Sequence, residues 1–189
     1  MTTAQAHPNI ALVKYWGKQE RSGNLPATPN LSITLAGLTT TTHVTGAAED
    51  TFVLNDVTAD DPKLRRWLET LRGSFDIPPL TIHSSNDFPT SAGLASSASG
   101  FAALITAINA HCELGLDHAM CSEWARVGSA SAARSIFGGF VALVPPQGWA
   151  VPMAKKEHWQ LEVIVAETST ESKGLSSGEA MECSTLNST

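Results

Sequence analysis

The chain has 189 residues, 42% of them apolar and only 16% charged, with 12 basic against 18 acidic side chains for a net charge of −6. Mean hydropathy is −0.02, so the chain has the apolar content to bury a core of its own and is not disordered throughout. No apolar run approaches the roughly 18–20 residues of a membrane span, and Lys14 and Lys18 stand where a secretory signal would need its apolar stretch.

A soluble, cytoplasmic protein is expected, with no membrane association. With no cluster of Lys or Arg, nucleic acid is not expected as a partner. The charge is uneven: from Glu157 onward there are six acids and one base, Lys173, while the earlier part is nearly neutral. A local basic pocket for a small anion is therefore compatible with the composition. Cys112, Cys121 and Cys183 are odd in number and show no CxxC spacing, so free thiols are expected rather than a disulfide framework or structural zinc.

In chain order, the β-branched run 31–45, broken at Gly37, predicts two strands, and 51–57 predicts a short third. Asp60, Asp61 and Pro62 open a helix whose Leu64, Trp67, Leu68 and Leu71 follow the i, i+3, i+4, i+7 pattern, and Gly73 stops it. A strand is predicted over 80–83. A helix follows over 94–112, with Ala98, Phe101, Ala102, Ile105 and Ile108 on one stripe, then a shorter helix over 117–127. Strands are predicted over 140–144 and 161–166. Ten of the last 23 residues are Ser or Thr, which predicts a solvated tail over 167–189 after a domain over 1–166. The mixture predicts an α+β or α/β domain. Trp67 and Trp159 are expected in the core, and the six histidines show no metal-ligand spacing.

Three segments carry chemistry. The segment Phe88-Pro-Thr-Ser-Ala-Gly-Leu-Ala-Ser-Ser-Ala-Ser-Gly100 runs from a strand into a helix. It reads either as a phosphate cradle, with Gly93 allowing close approach and the helix start offering N–H groups beside Ser96 and Ser97, or as a Ser-capped helix. It is neither a Walker A loop nor a nucleophile elbow. In the segment 9–18, NIALVKYWGK, an extended backbone would put Lys14 and Lys18 on one face. They could grip a diphosphate or form a solvated pair. In 128–139, GSASAARSIFGG, the lone Arg134 among small residues either awaits an anion or snorkels to the surface.

Together, NIALVKYWGK, NDFPTSAGLASSASGFAAL and GSASAARSIFGG, with Asn24-Leu-Pro and the 31–35 stretch LSITL, resemble the mevalonate diphosphate decarboxylase family of the GHMP kinase superfamily. The resemblance covers residues 8–181. It implies a ribosomal protein S5 domain 2-like N-terminal domain with the C-terminal domain largely absent. It also implies Mg2+ and ATP, with phosphorylation of the 3-hydroxyl of mevalonate 5-diphosphate followed by loss of phosphate and CO2 to give isopentenyl diphosphate.

Carried over by resemblance, Ser91, Gly93, Leu94, Ala95, Ser96 and Ser97 cradle the ATP phosphates. Tyr15, Trp16, Gly17 and Lys18 hold the substrate diphosphate, and Lys14 orients the reacting groups. Ser129, Ala130, Ser131, Ala132, Ala133 and Arg134 form the other wall, with Ser131 near the 3-hydroxyl and Arg134 on a carboxylate or phosphate. Asn9 supports the carboxylate side, Lys63 stands where the family begins a helix with a basic residue, and Ser176 or Ser177 contacts substrate. Lys14, Ser131 and Arg134 are the expected catalytic group.

The family's catalytic aspartate sits in an Asp-Ala-Gly-Pro-Asn-type segment that does not occur in this sequence. The expectation is an N-terminal part of the enzyme, truncated, impaired in phosphate transfer, and a homodimer or otherwise self-associating. The alternatives are a kinase acting on mevalonate or a mevalonate phosphate, or an inactive nucleotide-binding fragment.

Overall fold

Helix, strand and turn signals in the chain build two sheets and four helices in a computed structural model that describes residues 1–14, 17–19, 23–89 and 94–166. The order begins β1 (Thr2–Ala6), β2 (Asn9–Val13), β3 (Asn30–Thr34), β4 (Thr40–Gly46), β5 (Thr51–Leu54), β6 (Val57–Thr58) and α1 (Pro62–Arg72). It continues through β7 (Leu80–Asn86), α2 (Ser96–His111), α3 (His118–Gly128), α4 (Ala132–Ser135), β8 (Phe140–Leu143) and β9 (Val151–Ala154). The mixed α+β class is as expected.

The first sheet runs β1-β4-β7-β5-β6, antiparallel except where β5 lies parallel to β7. Along β4, Thr40, Thr42 and Val44 are buried while the residues between them are half-exposed, the period-two signature of a sheet covered on one face. Helices cover that face. Val44, Leu80 and Ile82 pack with Leu68 and Leu71 of α1 and with Ile105 and Ile108 of α2. Each of these side chains contributes about 1.5–3 kcal/mol by leaving water. Trp67 meets Phe101 edge to face at 5.4 Å and donates its indole N–H to the Trp124 carbonyl at 2.9 Å.

Helix ends follow local chemistry. Asp61 caps α1 by accepting from the Lys63 and Leu64 amides, and Asp117 caps α3 through the Met120 amide. Cys121 is buried and free, its thiol pushed up to about 11 by burial first and by the Asp117 charge second; Cys112 is also free. Cys183 lies outside the described residues.

The second sheet, β2-β3-β8-β9, is antiparallel throughout. β3 and β4 therefore fall in different sheets, because the turn around Gly37 (φ 93°) carries the chain from one to the other. Four further expectations change. The 51–57 strand is a hairpin, since Asn55 (φ 49°) and Asp56 (φ 63°) form a left-handed two-residue turn between β5 and β6. β1, β2, α4 and β9 are added to the elements expected. Residues 161–166 form no strand, because they find no pairing partner among the described residues and are exposed throughout. Trp159, expected in the core, is 58% exposed and stacks on Phe140 at 6.3 Å, so it covers the outer face of the second sheet without being enclosed.

Candidate functional site

Gly128 ends α3 directly against α2. A Cβ there would stand 2.2 Å from the Phe101 ring, so only glycine permits this approach. The consequence is immediate: the next residue, Ser129, reaches Ser97 at the start of α2, with Oγ atoms 3.4 Å apart, and Ser131 Oγ lies 3.3 Å farther on. Two segments expected to share a site are thus joined by a run of hydroxyls.

The start of α2 differs from an ordinary Ser-capped helix. Ala95 occupies the cap position in the left-handed region (φ 54°) and no side chain caps the helix. The Ala98 N–H already donates to the Ala95 carbonyl at 2.8 Å, which leaves the Ser96 and Ser97 N–H groups, with their hydroxyls beside them, to face a ligand. One turn in, Ser99 is buried and bonds Thr40 at 2.6 Å, which anchors the helix start to β4.

A cavity of about 250 Å³ opens beside this turn, lined by Lys63, Ser96, Ser97, Phe101, Asn86 and Ile82 among others. The Lys63 ammonium lies 5.1 Å from the Phe101 ring centre. Its pKa is lowered, first by desolvation and then by the Lys18 charge, against the raising effect of Asp61. Water reaches the side chain, yet the concave mouth strips part of its hydration shell. Asp61 lines the same cavity, so the Lys63 charge there is partly offset by a carboxylate.

The inner face of the second sheet holds a different construction. Arg134 is 1% exposed. Its Nε donates to Ser32 Oγ at 2.9 Å, one terminal nitrogen donates to Asn30 Oδ1, and the other to Asn9 Oδ1 at 3.4 Å. Asn9 in turn donates to the Ser131 carbonyl at 3.0 Å and to Ser135 Oγ at 2.7 Å. The arginine therefore does not snorkel. It ties α4 to β2 and β3 and fixes the backbone that presents Ser131. Ala130, Ala132 and Ala133 are buried around it, small enough to let α4 settle on the sheet.

The loop after β2 carries the remaining expected residues. Lys14 and Lys18 are exposed. Strand pairing of β2 ends at Val13 and Gly17 turns with φ 96°, so the alternation that would align the two lysines is not continued as a regular strand. Lys18 donates to Asn24 Oδ1 at 2.8 Å. Tyr15, Trp16, Ser91, Gly93, Ser176 and Ser177 lie outside the described residues, whereas Leu94 sits next to the α2 start. No grouping of His, Cys, Asp and Glu able to hold a metal occurs among the described residues.

Sequence reading gave no role to Asn24, Asn30, Ser32, Ser135 or Arg126, although Asn24, Ser32 and Ser135 stand within the segments that carry the resemblance. The signal for Asn30 and Ser32 was present: they alternate with Leu31 and Ile33, polar residues on one face of an apolar strand. Arg126 carries no such mark. It is 6% exposed and donates to the Gly23 carbonyl, to the Gly148 carbonyl at 2.6 Å and to Glu123 at 3.3 Å. Burial lowers its pKa and the Glu123 charge opposes that shift.

Comparison with known proteins sharpens this geometry. The family model of the diphosphomevalonate decarboxylase-like N-terminal domain matches residues 6–148. A diphosphomevalonate decarboxylase of Candida albicans is 39% identical over 200 residues, covering 92% of this chain and 55% of that protein. A solved complex of MDDEF with MVAPP, AMPPCP and magnesium is 41% identical with a TM-score of 0.74, covering 81% of this chain and 50% of that one. The mevalonate diphosphate decarboxylase from Enterococcus faecalis is 40% identical with a TM-score of 0.75, over 81% of this chain and 51% of its own. The chain spans about half the length of the curated relatives it matches.

Proposed function

The chain belongs to the diphosphomevalonate decarboxylase-like N-terminal domain family, and on that premise we propose that it forms the nucleotide- and substrate-holding part of an ATP-dependent decarboxylase. Its substrate is mevalonate 5-diphosphate and its product isopentenyl diphosphate. We infer further that residues 1–166 are a GHMP-type domain of the S5 domain 2-like class and 167–189 a separate tail segment. The protein works in the cytoplasm and self-associates.

The observation that carries this reading is the convergence of the α2 start, the Ser97–Ser129–Ser131 hydroxyls and the Lys63 ammonium beside one cavity. Three ligand parts need such a place: a nucleotide triphosphate, a diphosphate and a carboxylate, held in fixed relation. The N–H groups of the first turn, with Ser96 and Ser97, suit the nucleotide phosphates, and the apolar and polar walls of the adjoining cavity suit a base. Lys63 adds charge there.

Magnesium, when bound, supplies neutralisation of the phosphate charge. The described residues provide hydroxyls and no carboxylate cluster, so they suit an ion carried on the phosphates. Lys18 holds the diphosphate end of the substrate and Lys14 orients it. Ser131 bonds the 3-hydroxyl in this reading, supported by its place in the hydroxyl run with Ser129 and Ser97.

Arg134, which the resemblance puts on a substrate carboxylate or phosphate, also positions its neighbours. Its hydrogen bonds set Asn9 and the Ser131 backbone, so its charge reaches the carboxylate side from within the protein. Phosphorylation turns the tertiary hydroxyl into a good leaving group, and the carboxylate electrons fill the developing positive carbon as CO2 departs. The hydroxyl's proton needs a base, which the family supplies from an Asp-Ala-Gly-Pro-Asn-type segment.

The test is to incubate the chain with Mg-ATP and mevalonate 5-diphosphate, measure both affinities by calorimetry, and quantify ADP and CO2. Binding of both ligands without stoichiometric CO2 is expected from this chain alone. Absence of binding to a folded sample would overturn the reading, and ADP without CO2 at full turnover would make it a kinase.

A further inference from the structure

We infer that Asn24 is a positioning residue that fixes the Lys18 ammonium to the end of α3, and with it the diphosphate end of the site proposed above. The inference rests on that reading of Lys18. Asn24 Nδ2 donates to the Val127 carbonyl at 2.7 Å and to the Arg126 carbonyl at 3.3 Å, and Oδ1 accepts from Lys18 Nζ at 2.8 Å. The last carbonyls of a helix lack partners within it, so the amide caps α3 while its oxygen remains for the lysine. An aspartate could accept from Lys18 but could not donate to the carbonyls.

The backbone is made for this residue. Asn24 has φ 58°, a left-handed conformation that asparagine tolerates better than most side chains. The flanking loop is closed by Gln19 N–H to Leu25 O at 2.9 Å and Ala27 N–H to Gly17 O at 3.2 Å. The buried Arg126 guanidinium takes hold of the Gly23 carbonyl from the opposite side. Residues 23 and 24 are thus held by a side chain and by the backbone of the same helix end.

That end continues into the wall of the site: Gly128 is followed by Ser129 and Ser131. One element therefore sets the spacing between the lysine for the diphosphate and the serines beside the nucleotide. A free lysine would give up several rotatable bonds on binding; a tethered one has already given them up.

The experiment uses the whole chain and the variants Asn24→Gly, Lys18→Met and their double. Glycine removes the side chain without straining the positive φ. Binding of mevalonate 5-diphosphate is measured by calorimetry. Losing a hydrogen bond to a charged group should weaken Asn24→Gly about tenfold, with Lys18→Met weakened at least as much. If Asn24 acts through Lys18, the double variant binds no worse than Lys18→Met. Losses that multiply, or an Asn24→Gly chain that binds like the parent, would overturn the inference.

A second readout needs no ligand. The ¹⁵N-labelled Lys18 ammonium signal, assigned with Lys18→Arg, should be observable in the parent and broadened away by solvent exchange in Asn24→Gly. Persistence of the signal unchanged overturns the link between the residues. If the parent fails to bind the diphosphate, the functional reading falls, while this signal still decides whether Asn24 holds Lys18.

Discussion

The two sheets are packed by different means. The inner face of the five-stranded sheet is closed mainly with Val44, Leu71, Leu80, Ile82, Ile105 and Ile108, side chains at most 1% exposed, and its buried Thr40, Thr42 and Ser84 are neutral hydroxyls paired with one another, Ser99 and Asn86. The inner face of the four-stranded sheet instead closes on Arg134, as deeply buried, with Asn9, Asn30 and Ser32 around it. Apolar packing stabilises without direction. A buried guanidinium stabilises only while its hydrogen bonds are made, and so it dictates geometry. The first region holds the fold together; the second holds Ser131 and its neighbours in place.

The largest expected effect breaks this comparison at its polar side. Arg134→Ala leaves Asn9, Asn30 and Ser32 without their donor and opens a cavity, at a cost of about 3–5 kcal/mol of stability. Alanine suits a helix, but helix propensity is small beside the network lost. Leu71→Ala, on the apolar side, is expected to cost a comparable amount, about 2–5 kcal/mol. Denaturant unfolding measures both. Only Arg134→Ala should also weaken mevalonate 5-diphosphate binding below the unfolding midpoint; equal loss of binding in Leu71→Ala would erase the distinction.

A smaller effect tests the junction between the regions. Gly128→Ala places a methyl on the Phe101 ring, and forced repacking costs about 1–3 kcal/mol. It should also part Ser129 from Ser97 and weaken nucleotide binding. Unfolding and ATP calorimetry on one preparation give both numbers, and an affinity equal to the parent's would detach the hydroxyl run from the nucleotide.

The mildest effect is on pH dependence. Lys63 has a lowered pKa in the folded chain, through desolvation and then Lys18. An anionic ligand binds its charged form, so affinity should be level at neutral pH and fall as pH rises through that lowered value, earlier than for an ordinary lysine. Lys63→Arg should keep the affinity level across the same alkaline range. A parent titration that stays level to the ordinary lysine range would remove Lys63 from the site.

Much of the first region was legible beforehand. Leu64, Trp67, Leu68 and Leu71 announce α1 by spacing, and the α2 stripe is readable in the same way, because a helix buries one face and its period is local. The site segments were legible as strings whose small residues and hydroxyls resemble a family. Less was legible where meaning depends on a distant partner. Asn24 and Arg126 look like ordinary loop and helix residues until 102 positions separate two atoms in one hydrogen bond. Residues 161–166 look like a strand, yet a strand exists only beside another.

Periodicity, caps, turn residues and the three motif segments are local properties, and the sequence by itself determined them: where helices begin, which faces are apolar, and which phosphate-suited residues the chain carries. Only tertiary structure decided that Arg134 faces Asn9, Asn30 and Ser32 instead of water, that β3 and β4 part into different sheets, and that Ser97 meets Ser129 across Gly128. These outcomes depend on which surfaces reach each other when the chain closes, and burial raises the energy of every polar group that arrives without a partner.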